Sequence, residues 1–204
     1  MTDLLDQLAI RQLADNWLIH RDNRDWDKFL EVYHEDGRMV TTWGGLVSAA
    51  EFADAAERGY QNGDRMLHSN GGTSAEIAGD RAIGQTKMRI MQRGLIDGVL
   101  CEVTCIGINY DFFERRSGRW GLVLRQPIYE HDFCVTVEPH ESVELDRAKL
   151  AEYPEGYARL AYLQSGIGYP IKKDMPTREG AEREALLQQG RVWLEGGELT
   201  WGRS

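Results

Sequence analysis

The chain reads as an α+β protein in which a long antiparallel meander curves around helices supplied by its first third and encloses a cavity. Over that first third, apolar residues recur at three- and four-residue steps, the period of amphipathic helices. Over the middle third the period drops to two, and the segments are joined by short Gly-containing turns. After Glu138-Pro139 the helical period returns, which adds a C-terminal extension to an otherwise two-layer core. The boundary this implies puts the core at 1–135 and the helical extension at 136–204.

Leu5, Leu8, Ala9, Leu13 and Trp17 outline one face of a first helix running from Thr2 to about Arg21, with Thr2 or Asp3 placed to cap it. Trp26, Phe29, Leu30 and Tyr33 repeat the spacing in a second, short helix that Asp36-Gly37 ends. Asp25 and Asp27 fall in its first turn, where the helix dipole favours acidic groups. Arg38 to Trp43 is β-rich and Gly44-Gly45 turns it. Ser48-Ala-Ala-Glu51 is a capping box, in which the serine hydroxyl and the glutamate carboxylate each satisfy an orphan backbone N–H, so a third helix follows to about Gln61.

Thr73 to Ile77, Ala82 to Gln92, Val99 to Phe113 and Arg119 to Phe133 alternate as strands. Their connections, Ala78-Gly79-Asp80, Arg93 to Gly98 and Arg116-Ser117-Gly118, are short enough to make neighbours antiparallel. Both faces of the Val99 to Phe113 segment carry apolar side chains, which implies cover on both sides. In the extension, Leu145 to Glu152, Tyr157 to Gln164 and Arg178 to Leu194 are helical in pattern, with an extended piece at Gly166 to Pro176. Tyr157, Leu160, Tyr162, Leu163 and Tyr169 make this segment too apolar to stay in solvent. It is expected to act as a lid over the cavity or as an arm around a neighbouring copy, in a homo-oligomer of two or three chains.

Composition narrows the function. A net charge of −9 with no basic cluster argues against nucleic acid, and no apolar run approaches the length of a membrane span or of a secretory leader, so a cytoplasmic protein is expected. The three cysteines, Cys101, Cys105 and Cys134, have neither disulfide-framework nor CxxC spacing and are expected to be reduced packing residues. The five histidines, His20, His34, His68, His131 and His140, show no metal-ligand spacing, so neither a metal nor another cofactor is expected.

His68 stands apart by position, in Met66-Leu67-His68-Ser69-Asn70 between the third helix and the meander, where a side chain entering the sheet points into the cavity. Asp22, at the end of the first helix, can lie across from it. A carboxylate that fixes the imidazole tautomer and stabilises the imidazolium makes such a histidine a general base. The alternative is that Asp22 caps the second helix and His68 fills a gap. Trp17, Trp43, Met66, Met88, Met91, Tyr110 and Tyr129 offer apolar and stacking surface, most of it core, but enough to suit an aromatic or polycyclic ligand. Arg89 and Arg125 lie on strands and need partners if buried, with Glu102 as one candidate.

The run LIHRDNRDWDKFLEVYHEDG, the later MLHSN and the strand pair closing with FFERRSGRWGLVLR resemble the SnoaL-like branch of the nuclear-transport-factor-two-like cone fold, over about residues 3 to 133. That branch includes scytalone dehydratase, hexachlorocyclohexane dehydrochlorinase, bile-acid dehydratase and polyketide cyclases. The resemblance implies a cystatin-like roll and a cofactor-independent lyase. It maps the orienting carboxylate onto Asp22, the base onto His68 and an oxyanion-stabilising arginine onto Arg125. Trp17, Trp43, Met91, Tyr110 and Tyr129 are then the substrate-facing candidates. Where such enzymes carry Lys or Tyr five residues before the Asp, this chain has Trp17, so its substrate differs from theirs. The implied reaction removes a proton and expels a β-group, water first among candidates. A formaldehyde-releasing lyase acting on lignin-derived dimers, a cyclase or isomerase, and a non-catalytic binding or scaffolding domain are the other readings.

Overall fold

The computed structural model describes residues 4–201. Helix α1 spans Leu4–Asn23 and α2 Trp26–Glu31; strands β1 (Tyr33–Thr41) and β2 (Gly45–Ser48) lead into α3 (Ala49–Gln61). Four long strands follow, β3 (Arg65–Ala78), β4 (Arg81–Ile96), β5 (Val99–Arg116) and β6 (Arg119–Thr136). The extension holds α4 (Arg147–Leu150), a 3-10 turn at Glu155–Tyr157, α5 (Ala158–Gly166) and α6 (Ala181–Leu194).

The six strands form one mixed sheet in the order β2-β1-β6-β5-β4-β3, open at both edges. All neighbours are antiparallel except β1 and β6. That single parallel pairing is why the second helix stops earlier than its spacing predicts. Val32 O accepts from Leu122 N–H and Tyr33 pairs with Leu122, so Tyr33, expected as the last helical position, begins β1 instead. The capping box before α3 forms as the sequence specifies, with Glu51 N–H donating to Ser48 Oγ and Ser48 N–H to Glu51 Oε2. The caps expected at Thr2 and Asp3 lie outside the described residues.

The meander is longer than its alternation suggests. β3 starts at Arg65, eight residues before Thr73, and its pairing to β4 is interrupted only between Asn70 and Thr73, where Gly71-Gly72 carries a bulge. His68 therefore sits inside a strand, opposite Ile90. In the extension, the helix expected over Leu145 to Glu152 shrinks to the single turn of α4, capped by the Asp146 side chain.

The two faces of the sheet have different cover. α1, α2 and α3 lie in the concavity, where Ile10, Trp17, Phe29, Phe52 and Phe113 form one apolar cluster. Tyr157 and Leu160, at the 3-10 turn and the start of α5, pack with Cys101, Val103, Cys105 and Tyr129 in a second cluster. α6 lies across the outer face, with Trp193 edge-on to Phe112 at 6.2 Å and its Nε1 donating to Phe113 O. Tyr110 belongs to that outer layer, against α6. A Cβ at Gly190 would stand 1.9 Å from Tyr110 Oη, so α6 docks there only because Gly190 has no side chain. Among the described residues no helix is long and apolar enough to cross a membrane.

Candidate functional site

The end of α1 runs beside the free edge of β3, and that edge explains the site. An edge strand leaves alternate backbone groups without a ladder partner. Here Arg21 Nη1 donates to Met66 O (3.1 Å), and Asp22 Oδ2 accepts from His68 N–H (2.6 Å). Two turns earlier, Asn70 Nδ2 donates to Ala14 O (3.0 Å) and ties the same edge to the middle of α1. Satisfying the edge brings the Asp22 carboxylate to the imidazole, and Asp22 Oδ1 lies 2.8 Å from His68 Nδ1. Asp22 does not cap α2. That position belongs to Asp25, whose carboxylate pairs with Lys28.

Burial and charge settle the protonation of the pair. Asp22 is pushed up by burial, but its hydrogen bonds with His68 and the charge of Arg21, whose Nη1 is 3.1 Å from Oδ1, hold it below the usual carboxylate range. His68 is lowered by burial and by the positive charges of Arg21 and Arg125, against the opposing pull of Asp22. The result is a neutral imidazole beside a carboxylate. Since an ionised carboxylate only accepts, Nδ1 carries the proton, and Nε2, with no partner among the described residues, is left with its lone pair.

The pair lines a cavity of about 500 Å³. Trp17, Trp43, Phe52, Met88, Ile90 and Tyr129 supply much of its wall. Trp17 stands edge-on to His68, with ring centroids 5.5 Å apart and planes at 86°. Its indole Nε1 is spent on Tyr33 Oη at 2.7 Å, so it gives the site shape rather than a polar group. Arg125 stacks on the Trp17 ring, its Cζ 4.4 Å from the centroid. Arg125 Nε and Nη2 grip Asp111 at 2.9 and 2.7 Å, and both residues are essentially inaccessible. The carboxylate keeps Arg125 charged against the effect of burial, and Nη1 is buried without a hydrogen-bond partner among the described residues.

Of the residues singled out from sequence, Asp22, His68, Arg125, Trp17, Trp43, Met91 and Tyr129 all line this cavity. Met91 alternates to the opposite face from Ile90, beside Leu67. Tyr110 is a correction. As a neighbour of Asn109 in an alternating strand it faces the other way, under α6, and is not a wall of the cavity. The expected partner for a strand arginine, Glu102, serves neither Arg89 nor Arg125 but pairs with Arg93 at 2.8 Å.

The pattern missed four contributors. Arg21 gave no signal beyond adjacency to Asp22. Asn109 sits in the wall, opposite Thr86 on β4 and Pro127 on β6, an ordinary amide in sequence. Gln164 and Tyr169 come from the extension. Gln164 accepts from Thr42 and donates to Gln92 inside the protein, and Tyr169 Oη donates to Asp64 Oδ2 at 2.5 Å while its ring lies 5.6 Å from that of Trp43. Among the described residues no group of three or more His, Cys, Asp or Glu is arranged to hold a metal ion.

Comparison with known proteins follows the same outline. A 32% identical relative over 206 residues, spanning 96% of this chain and 88% of the relative, is a PEP2-like protein of Fusarium vanettenii. Among solved structures, hexachlorocyclohexane dehydrochlorinase type 3 of Novosphingobium barchaimii superposes with a TM-score of 0.56 at 17% identity, over 70% of this chain and 97% of that one. A candidate scytalone dehydratase from Novosphingobium aromaticivorans gives 0.56 at 16% identity, over 71% and 100%. At those identities the structures attest the fold alone, a curved mixed sheet packed against helices. The family model for the SnoaL-like domain matches residues 2–126, and the chain belongs to that family.

Proposed function

We propose that the protein is a cofactor-independent lyase, dehydratase-like in its chemistry, acting on an aromatic or polycyclic substrate. The observation that carries the reading is the pair itself, a neutral His68 fixed by Asp22 and opening on an apolar, aromatic-walled cavity. A binding or scaffolding domain has no need of a buried, hydrogen-bonded carboxylate behind a histidine whose second nitrogen is free. In the proposed step, His68 Nε2 takes a proton from a carbon next to a carbonyl or conjugated phenol. The C–H electrons form the new double bond, and the β-hydroxyl leaves with the proton returned from the imidazolium, as water. Arg125 Nη1, buried and unpaired, is the group available to the oxygen on which negative charge develops.

The dehydratase and dehydrochlorinase names of the structural neighbours fit an elimination, though each describes its own protein. The test is turnover of a panel of cyclic aromatic β-hydroxy ketones by the unmodified protein, H68A and D22N, with product mass as the readout. Loss of water by the unmodified protein and not by H68A is expected. Equal product from H68A would remove His68 as the base. Release of formaldehyde, or product of unchanged mass, would reassign the reaction to the deformylating or the ring-closing class.

A further inference from the structure

Five arginines line the cavity, Arg21, Arg24, Arg65, Arg93 and Arg125. Four have a carboxylate within ion-pair distance: Asp22 for Arg21, Glu57 for Arg24, Glu102 for Arg93 and Asp111 for Arg125. Arg65 has none among the described residues. Its Nη1 donates only to the backbone carbonyls of Tyr60 and Asp64, at 3.3 and 2.8 Å. The acid next to it in the chain, Asp64, is turned to the hydroxyl of Tyr169 instead.

Arg65 is also not alone. Its Cζ lies 4.8 Å from the centroid of the Tyr60 ring, and that of Arg24 lies 4.0 Å from the same centroid. Two guanidiniums on one ring repel each other, and only one of them is neutralised. Arg24 further adopts a left-handed backbone, with φ of 58°, in the turn between α1 and α2. A side chain there carries strain that glycine would avoid. The cavity lining thus keeps one guanidinium, that of Arg65, without an ion-pair contact among the described residues, in a chain whose overall charge is −9.

We infer that the cavity mouth receives an anionic group of the substrate, a carboxylate or similar oxyanion, at Arg65 beside Tyr60 and Arg24, while the aromatic body lies inward toward His68. This rests on the cavity being a substrate site and names the substrate class, an aromatic or polycyclic acid. A planar guanidinium with Nε and Nη2 unspent suits bidentate capture of such a group. Arg65 comes three residues before His68 on β3 and so alternates to the other side of the strand, which makes the anion a handle rather than a participant.

Two dyes with the same aromatic body separate charge from apolar fit: 8-anilinonaphthalene-1-sulfonate, an anion, and N-phenyl-1-naphthylamine, which is neutral. Fluorescence titration of the unmodified protein, R65Q and R65K reads both. R65Q is expected to weaken the sulfonate by about fivefold and leave the neutral dye unchanged, with R65K retaining most of the sulfonate affinity. The sulfonate's binding to the unmodified protein should also weaken with salt, more than in R65Q. Sulfonate binding that R65Q leaves intact, or a loss shared equally by the neutral dye, overturns the assignment to Arg65. Binding of neither dye by the unmodified protein would instead remove the substrate-cavity reading on which it rests.

Discussion

Asp22 and His68 meet twice, carboxylate to imidazole at 2.8 Å and carboxylate to backbone N–H at 2.6 Å. One contact orients the ring, and the other anchors the carboxylate to the strand that carries the ring. The pair cannot shift apart without leaving an edge N–H and a part-buried carboxylate unsatisfied, so its geometry is built into the packing of α1 on β3.

Replacement of Asp22 by Asn should therefore act on chemistry more than on folding. The amide can still accept from the His68 backbone, but an NH₂ facing Nδ1 forces the proton to Nε2, the wrong nitrogen for a base. We expect kcat/KM to fall by about 10²- to 10⁴-fold with the fold retained, measured by turnover and circular dichroism together.

The pH dependence follows from the lowered pKa of His68. The group must be neutral to act, so activity is constant above the ordinary histidine value and is lost as pH falls through the folded-state pKa, which lies below 6.5. Stability moves the same way. Between the folded value and 6.5 the unfolded chain binds a proton that the folded one does not, so falling pH in that window favours unfolding. Asp22, held below its ordinary value, adds a second loss at more acidic pH, below about 3.8. A pH–rate profile whose acid limb lies above 6.5 would contradict this.

Arg125 and Asp111 are a buried ion pair before they are anything else. Removing one partner strands a charge in the core, so R125A should destabilise by about 3–5 kcal/mol in chemical unfolding, and D111A by a similar amount. A double replacement by apolar residues of matching volume should cost much less than either. Loss of activity in R125A alone is then no measure of a catalytic role.

The hydrogen bond from Tyr169 to Asp64 clasps the C-terminal segment to the chain just after α3, at the cavity wall. A Cβ at Gly59 would come within 2.7 Å of both Tyr169 Oη and Asp64 Oδ2, so G59A should loosen the clasp from outside it, and Y169F should remove it. Amide exchange is expected to accelerate over residues 164–173 in both variants, with the protection of β4, β5 and β6 unchanged. A hydrogen bond to a charged group contributes about 1.5–3 kcal/mol, enough to be visible in local opening.

How much of this was legible beforehand differs by element. The capping box at Ser48 and the alternation of the long strands announce themselves locally, because the residues that make each feature are neighbours in the chain. Tyr33 deceived because its helical spacing was overridden by pairing with a parallel strand from far along the chain. Tyr110 deceived because aromatic identity says nothing of which face a strand residue takes; the register against β4 and the docking of α6 decide that. Asp22 and His68 were recognisable only together with the family resemblance. Arg21, Asp64 and Tyr169 act through contacts separated by 45 to 105 positions, which no local pattern encodes.

The most direct test of the central claim needs no substrate. Nitrogen NMR of the imidazole of His68 reports both its tautomer and its pKa. The account predicts a neutral ring at pH 7 with the proton on Nδ1, titrating below 6.5, and in D22N a shift of that proton to Nε2. A ring protonated on Nε2 in the unmodified protein, or titrating above 6.5, would contradict it.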